Sequence, residues 1–186
     1  VEELRESGII RLEKSKKVFT SWAEEDGEKI SNKLFFTSPF LRFWFAFVSP
    51  LFKGVRDGDN KEVRERFTNR QSEFLQLTFV ELAHELIKIN EKEDPIKEIS
   101  TYWDNTHEID IYAKTESGKT IVGICKYTNA KVKKSALTKL QEDAKEARIE
   151  ADTFIIVSKS GFSNELKTLK GENLKLISLK NFKNLL

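Results

Sequence analysis

The sequence predicts an α/β protein with one mixed sheet flanked by helices. Strand-like apolar runs follow one another through residues 98–127 and then alternate with helical patterns up to residue 177. Charged residues make up 33% and aromatic residues 11% of the 186 residues, so the chain can bury a core and is too apolar to be disordered. The order α-β-β-β-α-β-α-β is typical of a single sheet with helices packed against it.

The amino-terminal segment predicts a small unit of one helix and three strands. Residues 1–7 are expected to end a helix that Gly8 stops, and a short strand follows. Two further strand-like runs, Lys17–Trp22 and Ile30–Phe36, flank the dipeptide Asp26-Gly27, which is a hairpin signal. Helix, strand and hairpin in this order resemble the second half of a winged-helix module.

An aromatic helix is expected next. Pro39 suits the first turn of a helix, and the segment Phe40–Val48 carries aromatic side chains on nearly every face. Because a helix that is apolar all round is buried, this segment is predicted to join the two halves of the chain. We therefore expect a partial winged helix with its linker helix at residues 1–48, and an α/β domain at residues 49–186.

The α/β domain is predicted to begin with two helices, Lys61–Arg70 and Glu73–Asn90. Its strands are expected at Glu98–Asp104, Glu108–Lys114, Lys119–Tyr127, Thr153–Val157 and Leu174–Ile177. Among the later helices, Ser135 is expected to cap one over Ala136–Ile149, and Ser163 to cap a shorter one.

Composition narrows the classes of function. The single cysteine, Cys125, excludes a disulfide framework and a cysteine-based zinc site within the chain, so a reducing, cytoplasmic setting is expected. The most apolar run, Leu34–Phe52, is broken by prolines, serines and an arginine, which predicts neither a membrane span nor a membrane partner. The chain begins at Val1 and contains no Met, which predicts a fragment of a longer protein.

Several segments carry a resemblance to a known family. They are Phe-Leu-Arg-Phe-Trp-Phe at 40–45, Glu108-Ile-Asp110, Gly123-Ile-Cys-Lys126, and Ser-Lys-Ser-Gly-Phe-Ser at 158–163. Together they resemble the restriction-endonuclease-like PD-(D/E)xK superfamily, and more narrowly a domain of unknown function found C-terminal to prokaryotic, archaeal-type AAA ATPases. The resemblance covers nearly the whole chain. It implies a restriction-endonuclease-like mixed sheet, a winged helix before it, and an ATPase domain or partner upstream.

The same resemblance implies a degenerate active site. In active members, an Asp and a Glu hold Mg²⁺, which activates water and offsets charge on phosphate, and a Lys stabilises that charge. Asp110 matches the Asp and Lys126 matches the Lys, whereas Val80 and Ile124 stand where the family has further acids. Since an aliphatic side chain binds no metal, the expectation is a vestigial Asp110–Lys126 ion pair, with no catalysis and no cofactor.

An active Mg²⁺-dependent DNA endonuclease with a displaced acid is the alternative. Glu81 is the candidate substitute, although it shares a polar stripe with Glu85 and Lys88 at helical spacing, which predicts a solvated side chain. His84 and His107 show no metal-ligand spacing and are expected to be packing or surface residues.

The charge distribution favours a polyanionic partner for the second half of the chain. Residues 126–186 hold 13 basic and 7 acidic side chains, a net +6, against 19 and 23, a net −4, in residues 1–125. The candidate phosphate contacts are Lys14, Lys16, Lys17, Lys131, Lys133 and Lys134. A solvated lysine-rich face, or a domain that only regulates an ATPase, would also account for this composition.

Overall fold

The computed structural model describes residues 1–15 and 30–185, which divide into two units. The first unit holds residues 1–14 and 31–78, and the second holds residues 79–185 with residues 15 and 30. The division falls inside a helix, well beyond Val48. The domain assignment at 1–48 and 49–186 stays a prediction.

The first unit opens with a short helix and a two-stranded antiparallel sheet. Helix α1 (Glu2–Glu6) ends before Gly8, whose φ of 71° is a left-handed conformation that suits glycine. Strand β1 (Ile10–Glu13) pairs with β2 (Lys33–Phe36). The predicted strand Lys17–Trp22 and the hairpin at Asp26-Gly27 lie outside the described residues, so the winged-helix resemblance stays a prediction.

The aromatic segment is helical, as expected, but the prediction of burial on every face is wrong. Helix α2 (Pro39–Phe43) has Pro39 in its first turn and continues as a π-helical turn over Trp44–Val48. Phe47 is 1% exposed, whereas Phe40 is 65% and Phe45 49% exposed. The Phe47 ring is the buried one, because it packs edge-on against Phe67 and Phe74 at centroid distances of 5.2 and 5.3 Å, whereas Phe45 stacks on Phe36 at 5.1 Å and stays partly exposed.

The two helices expected before the sheet are one helix, α4 (Lys61–Asn90), which follows a short α3 (Phe52–Arg56). The predicted break fails because residues 70–73 contain neither glycine nor proline, and Arg70 pairs with Glu73 across one turn at 3.0 Å. Within the described residues, no helix is both long enough and apolar enough to cross a membrane.

The second unit is built on a five-stranded mixed sheet flanked by helices, as the sequence predicts. The elements after α4 are β3 (Ile96–Trp103), β4 (Glu108–Thr115), β5 (Thr120–Lys126), α5 (Lys134–Glu146), β6 (Thr153–Ser158), α6 (Asn164–Thr168), β7 (Leu174–Ser178) and a 3₁₀ segment (Leu179–Leu185). The strands lie in the order β3-β4-β5-β6-β7. The first three are antiparallel and the last three parallel.

Each face of this sheet has its own apolar core. On one face, the carboxyl half of α4 packs over the sheet, and the core includes Phe79, Val80, Ile87, Ile111, Cys125 and Val157. On the other face, α5 and α6 cover the sheet, and the core includes Val122, Ile124, Leu137, Leu140, Ile156 and Leu166. Alternate residues of β5 therefore belong to different cores.

The ends of α5 differ from the prediction at both boundaries. The helix begins at Lys134 with Lys133 as its N-cap residue, so Ser135 lies inside the helix and does not cap it. It ends at Glu146, because Arg148 takes a positive φ of 56° and the Ile149 amide turns back to the Ala144 carbonyl at 2.8 Å. The predicted cap of α6 is confirmed, since the Ser163 side chain accepts a hydrogen bond from the Leu166 amide at 3.2 Å.

Gly123 lies in the central strand of the sheet, where the neighbouring strands leave no room for a larger side chain. A Cβ at this residue would lie 2.5 Å from the Ile155 carbonyl oxygen and 3.0 Å from Ile111 Cδ1. We predict that Gly123→Ala lowers the free energy of unfolding by about 1–3 kcal/mol, the usual effect of overpacking a core. The measurement is urea unfolding followed by circular dichroism. Gly171→Ala is the matched control, since a Cβ there meets no atom within 4 Å.

Candidate functional site

Asp110 lies at a β-bulge in strand β4. Ser100 of β3 stands opposite Tyr112, but Tyr102 stands opposite Ile109, so β4 contains one extra residue between these pairs. The bulge breaks the alternation of the strand, and Ile109 and Ile111 consequently pack in different cores. Bulges re-aim side chains, and this one sets the position of Asp110.

The backbone of the bulge is held by α4 and β3. His84 Nε2 lies 2.7 Å from the Asp110 carbonyl oxygen, which can only accept, so the ring nitrogen donates. The Thr101 hydroxyl reaches the same carbonyl at 3.4 Å. His84, which the sequence predicts to be a packing or surface residue, thus has a specific polar role that its spacing did not reveal.

The Asp110 carboxylate accepts a hydrogen bond from the backbone N–H of Cys125 at 2.8 Å. Lys126 is the last residue of β5, the strand paired with β4, and is exposed. The two residues therefore lie on neighbouring strands, as predicted. Because the bulge takes Asp110 out of the strand alternation, the ion pair with Lys126 and the shared face of the two side chains stay predictions.

Cys125 does not act as a nucleophile in this environment. The side chain is 1% exposed. Burial raises the pKa of the Cys125 thiol well above its usual range, the nearby Asp110 carboxylate raises it further, and Lys126 opposes the change only in part. The thiol is therefore protonated at neutral pH.

The two positions at which the family resemblance expects acids lie in separate cores. Val80 is 6% exposed in the core on the α4 face, and Ile124 is 9% exposed in the core on the α5 face. The structure does not bring these side chains together, so glutamates at both positions would not face one another across a metal ion. Among the described residues, no group of three or more His, Cys, Asp or Glu side chains is placed to bind a metal ion.

Glu81 is less exposed than its position on the polar stripe predicts. Its side chain is half-buried and has an interaction partner, whereas Glu85 on the next turn is exposed. Glu81 lies one turn before His84, which itself contacts the bulge at Asp110. Glu81 is therefore partly shielded from solvent, and its role stays a prediction.

Two loops beside the carboxyl ends of β5 and β6 form what we call the lysine platform, residues 126–134 with residues 158–163. The loops are bonded to each other through their backbones: the Val132 amide donates to the Gly161 carbonyl at 2.9 Å, and the Ser163 amide to the Val132 carbonyl at 2.8 Å. The Ser160 hydroxyl donates to the Thr128 carbonyl at 2.6 Å. The platform carries Lys126, Lys131, Lys133, Lys134 and Lys159.

The platform is strongly basic. Residues 126–141 contain five lysines and no acid. Lys134 lies 3.7 Å from Glu165 in a half-exposed pair, which is a weak interaction in water. Lys159 donates to the Asn129 side chain at 2.9 Å and lies 4.4 Å from the centre of the Tyr127 ring, so this lysine has a fixed position.

The predicted phosphate contacts divide between the two units. Lys131, Lys133 and Lys134 lie together on the platform. Lys14 is exposed in the first unit, while Lys16 and Lys17 lie outside the described residues. Lys159 is not among the predicted phosphate contacts, although it lies in the segment 158–163 that carries part of the family resemblance.

Residues 44–140 match the DUF234 family, described as Archaea bacterial proteins of unknown function. The chain belongs to this family. A search of the curated proteins finds no match. Among solved structures, a chain in "Structure of EndoMS-dsDNA2 complex" is similar at 19% identity and a TM-score of 0.35. That similarity covers 53% of this chain and 43% of the other, which is less than half of the other chain's length.

Asp110 in this DUF234 chain has a structural task that can be tested. Asp110→Ala leaves the Cys125 amide without its acceptor in a buried position. We expect the free energy of unfolding to fall by about 1–3 kcal/mol, the usual penalty for an unsatisfied buried donor. Asp57→Ala is the control, because Asp57 is exposed and contacts Arg56 alone among the ion pairs of the described residues. Equal stability of the two variants, measured by urea unfolding, would contradict this role.

Proposed function

We propose that this chain is a nuclease-like module that binds nucleic acid through the lysine platform and has lost metal-dependent catalysis. The observation that carries the proposal is the platform itself. Five lysines lie in two segments that are tied to each other by backbone hydrogen bonds, with Lys126 at the end of β5 and Lys134 at the start of α5. The one ion pair to these lysines among the described residues is the exposed contact of Lys134 with Glu165.

The chemistry of the platform suits a phosphate backbone better than individual bases. Lysine acts as a compact positive charge with rotatable donors, which attracts phosphate without reading sequence. Tyr127 is covered by Lys159 on one side, and its ring also packs against Phe79 at a centroid distance of 5.4 Å, which leaves it little surface for base stacking. We therefore expect binding that depends on salt and is weakly sequence-specific.

The loss of catalysis is supported by the surroundings of the resembling residues. Val80 and Ile124 each fill an apolar core, and Asp110 already uses one carboxylate oxygen to accept the Cys125 amide. Mg²⁺ in proteins is commonly held by one or two carboxylates together with substrate phosphates, and Val80 and Ile124 supply no oxygen. No cofactor is therefore part of this proposal.

An ATPase domain or partner upstream belongs to the same proposal. Its support is the family resemblance, in which the nuclease-like domain follows an ATPase. A module of this kind would act as the C-terminal regulatory part of the ATPase, with the platform as its contact to nucleic acid.

Salt-dependent binding tests the platform directly. We predict that the triple variant Lys131→Ala, Lys133→Ala, Lys134→Ala flattens the slope of log affinity against log salt by about 2–3, since each lost phosphate contact on duplex DNA removes about 0.9. The measurement is fluorescence anisotropy with a labelled duplex at several salt concentrations.

The control for that experiment is a triple variant with the same change in charge, Lys92→Ala, Lys97→Ala, Lys119→Ala, at exposed positions of the second unit outside the platform. It is expected to keep most of the slope. Equal effects of the two triple variants would mean that net charge, and not the platform, governs binding. Absence of binding by the unmodified chain at low salt would favour a purely regulatory role beside an ATPase.

The second candidate function is a Mg²⁺-dependent DNA endonuclease in which Glu81 replaces a missing acid. The observation that favours it is the half-buried position of Glu81 one turn before His84, whose ring contacts the bulge at Asp110. Our proposal predicts that purified protein with Mg²⁺ or Mn²⁺ leaves supercoiled plasmid intact.

Three variants decide the matter if cleavage is seen. Cleavage that disappears in Asp110→Asn and in Glu81→Gln, but persists in Glu85→Gln, would establish the endonuclease and refute the loss of catalysis. Glu85 is the matched control, because it lies one turn further along the same helix and is exposed. Cleavage that survives Asp110→Asn would instead indicate a contaminating nuclease.

A further inference from the structure

His107 lies between two carboxylates that come from different elements of the second unit. Its Nδ1 is 3.2 Å from Asp104 Oδ1, in the turn between β3 and β4, and its Nε2 is 2.7 Å from Glu146 Oε2, the last residue of α5. A neutral imidazole has one N–H, whereas the protonated ring has two and can donate to both carboxylates. The geometry thus suits the charged form of the ring.

The Asp104 side of this arrangement is rigid. The Asp104 carboxylate is 5% exposed and accepts hydrogen bonds from the backbone N–H of Thr106 at 2.8 Å and of His107 at 2.6 Å. The buried Tyr102 hydroxyl donates to its other oxygen at 3.2 Å. The turn is therefore fixed, and the Glu146 carboxylate, at 67% exposed, is the partner that can leave.

We propose that His107 is a pH-sensitive clasp, which when protonated ties the carboxyl end of α5 to the β3–β4 turn and when deprotonated releases it. The charged groups in contact with the ring are Asp104 from the turn and Glu146 from α5. Glu142 lies one turn earlier on α5 and is exposed. The clasp is a property of the fold and does not depend on nucleic-acid binding.

The direction of the effect follows from linkage. Burial lowers the pKa of His107, but the hydrogen bonds and charges of Glu146 and Asp104 outweigh it, and the pKa is raised above its ordinary value. A group whose pKa is raised on folding stabilises the fold below its unfolded pKa and loses that contribution as pH rises through its folded value. The clasp is therefore closed in mild acid and opens towards alkaline pH.

Asp104 responds in the opposite direction. Burial raises its pKa, but the backbone hydrogen bonds from Thr106 and His107, with the His107 side chain, outweigh burial and lower the pKa to about 2. Its contribution to stability is present above the unfolded pKa and is lost as pH falls through about 2. Asp104 consequently keeps its charge throughout the range in which the histidine titrates.

Nuclear magnetic resonance of the full chain tests the clasp. Ring ¹⁵N shifts are followed from about pH 5 to about pH 9, a window that spans histidine titration, together with amide hydrogen-exchange protection at Ala147 and Ile149. We expect His107 to titrate above an unstructured histidine. Protection at the end of α5 should fall about two- to five-fold with that titration, the size of a partly exposed ion pair.

Matched variants separate the clasp from general pH effects. The chain has two histidines, so His84→Gln should keep the pH-dependent loss of protection and His107→Gln should abolish it. Glu146→Gln should weaken protection in mild acid and lower the His107 pKa, and Glu142→Gln, one turn earlier, should do so less.

Three results would overturn the proposal. They are a His107 that titrates at or below the ordinary value, protection that does not change through its titration, and an unchanged pH dependence in His107→Gln. Should His107→Gln fail to fold, Glu146→Gln provides the test, since the Glu146 side chain is exposed and its replacement should not prevent folding. Equal amide protection and an equal His107 pKa in Glu146→Gln and Glu142→Gln would then refute the proposal.

Discussion

The burial of β5 on both faces is the constraint on which the rest of the second unit depends. Every residue from Thr120 to Cys125 is buried, with α4 over one face and α5 over the other. No charged side chain is placed along this stretch, because a charge there would need a partner within an apolar core. The first charged residue is Lys126, at the carboxyl end of the strand.

Polar chemistry is consequently displaced to the ends and irregularities of the strands. Asp110 is accommodated by a bulge, and its carboxylate satisfies a β5 amide within the sheet. The lysines gather where β5 and β6 end, on loops that leave the sheet on its carboxyl side. In open α/β sheets this is the edge at which ligands commonly bind.

The mixed sheet and most of its strands could be predicted from the sequence, because buried strands need continuous or alternating apolar runs whatever surrounds them. The cap at Ser163 could also be predicted, because a helix cap depends only on residues that are neighbours in the sequence. The exposure of Phe40 and Phe45 was not predictable, because burial of an aromatic helix depends on how many partners the fold supplies. The sequence predicts two helices where α4 is continuous, because a polar helical pattern followed by a more apolar one looks like two separate helices.

In the candidate sites, too, features set by neighbouring residues in the sequence could be predicted, and contacts between distant residues could not. The resemblance directed attention to Asp110 and Lys126, but a bulge arises from the register of two strands and leaves no mark in one of them. His107 and Glu146 lie 39 positions apart in the chain, so no spacing rule could connect them. The basic character of residues 126–134 is evident from the sequence. The segment 158–163, which completes the platform, could not be assigned to it from the sequence, because the two segments meet only in the folded chain.

The hydrogen bonds between the two loops of the lysine platform have a thermodynamic consequence for any anionic partner. A loop that becomes ordered on binding loses backbone entropy of about 1–2 kcal/mol per residue, which reduces affinity. Here the Val132, Gly161 and Ser163 backbones are already fixed by the fold, so ordering on binding is confined to the flexible stems of the lysines. Most of the loss of backbone entropy in these loops therefore occurs during folding, before any partner binds.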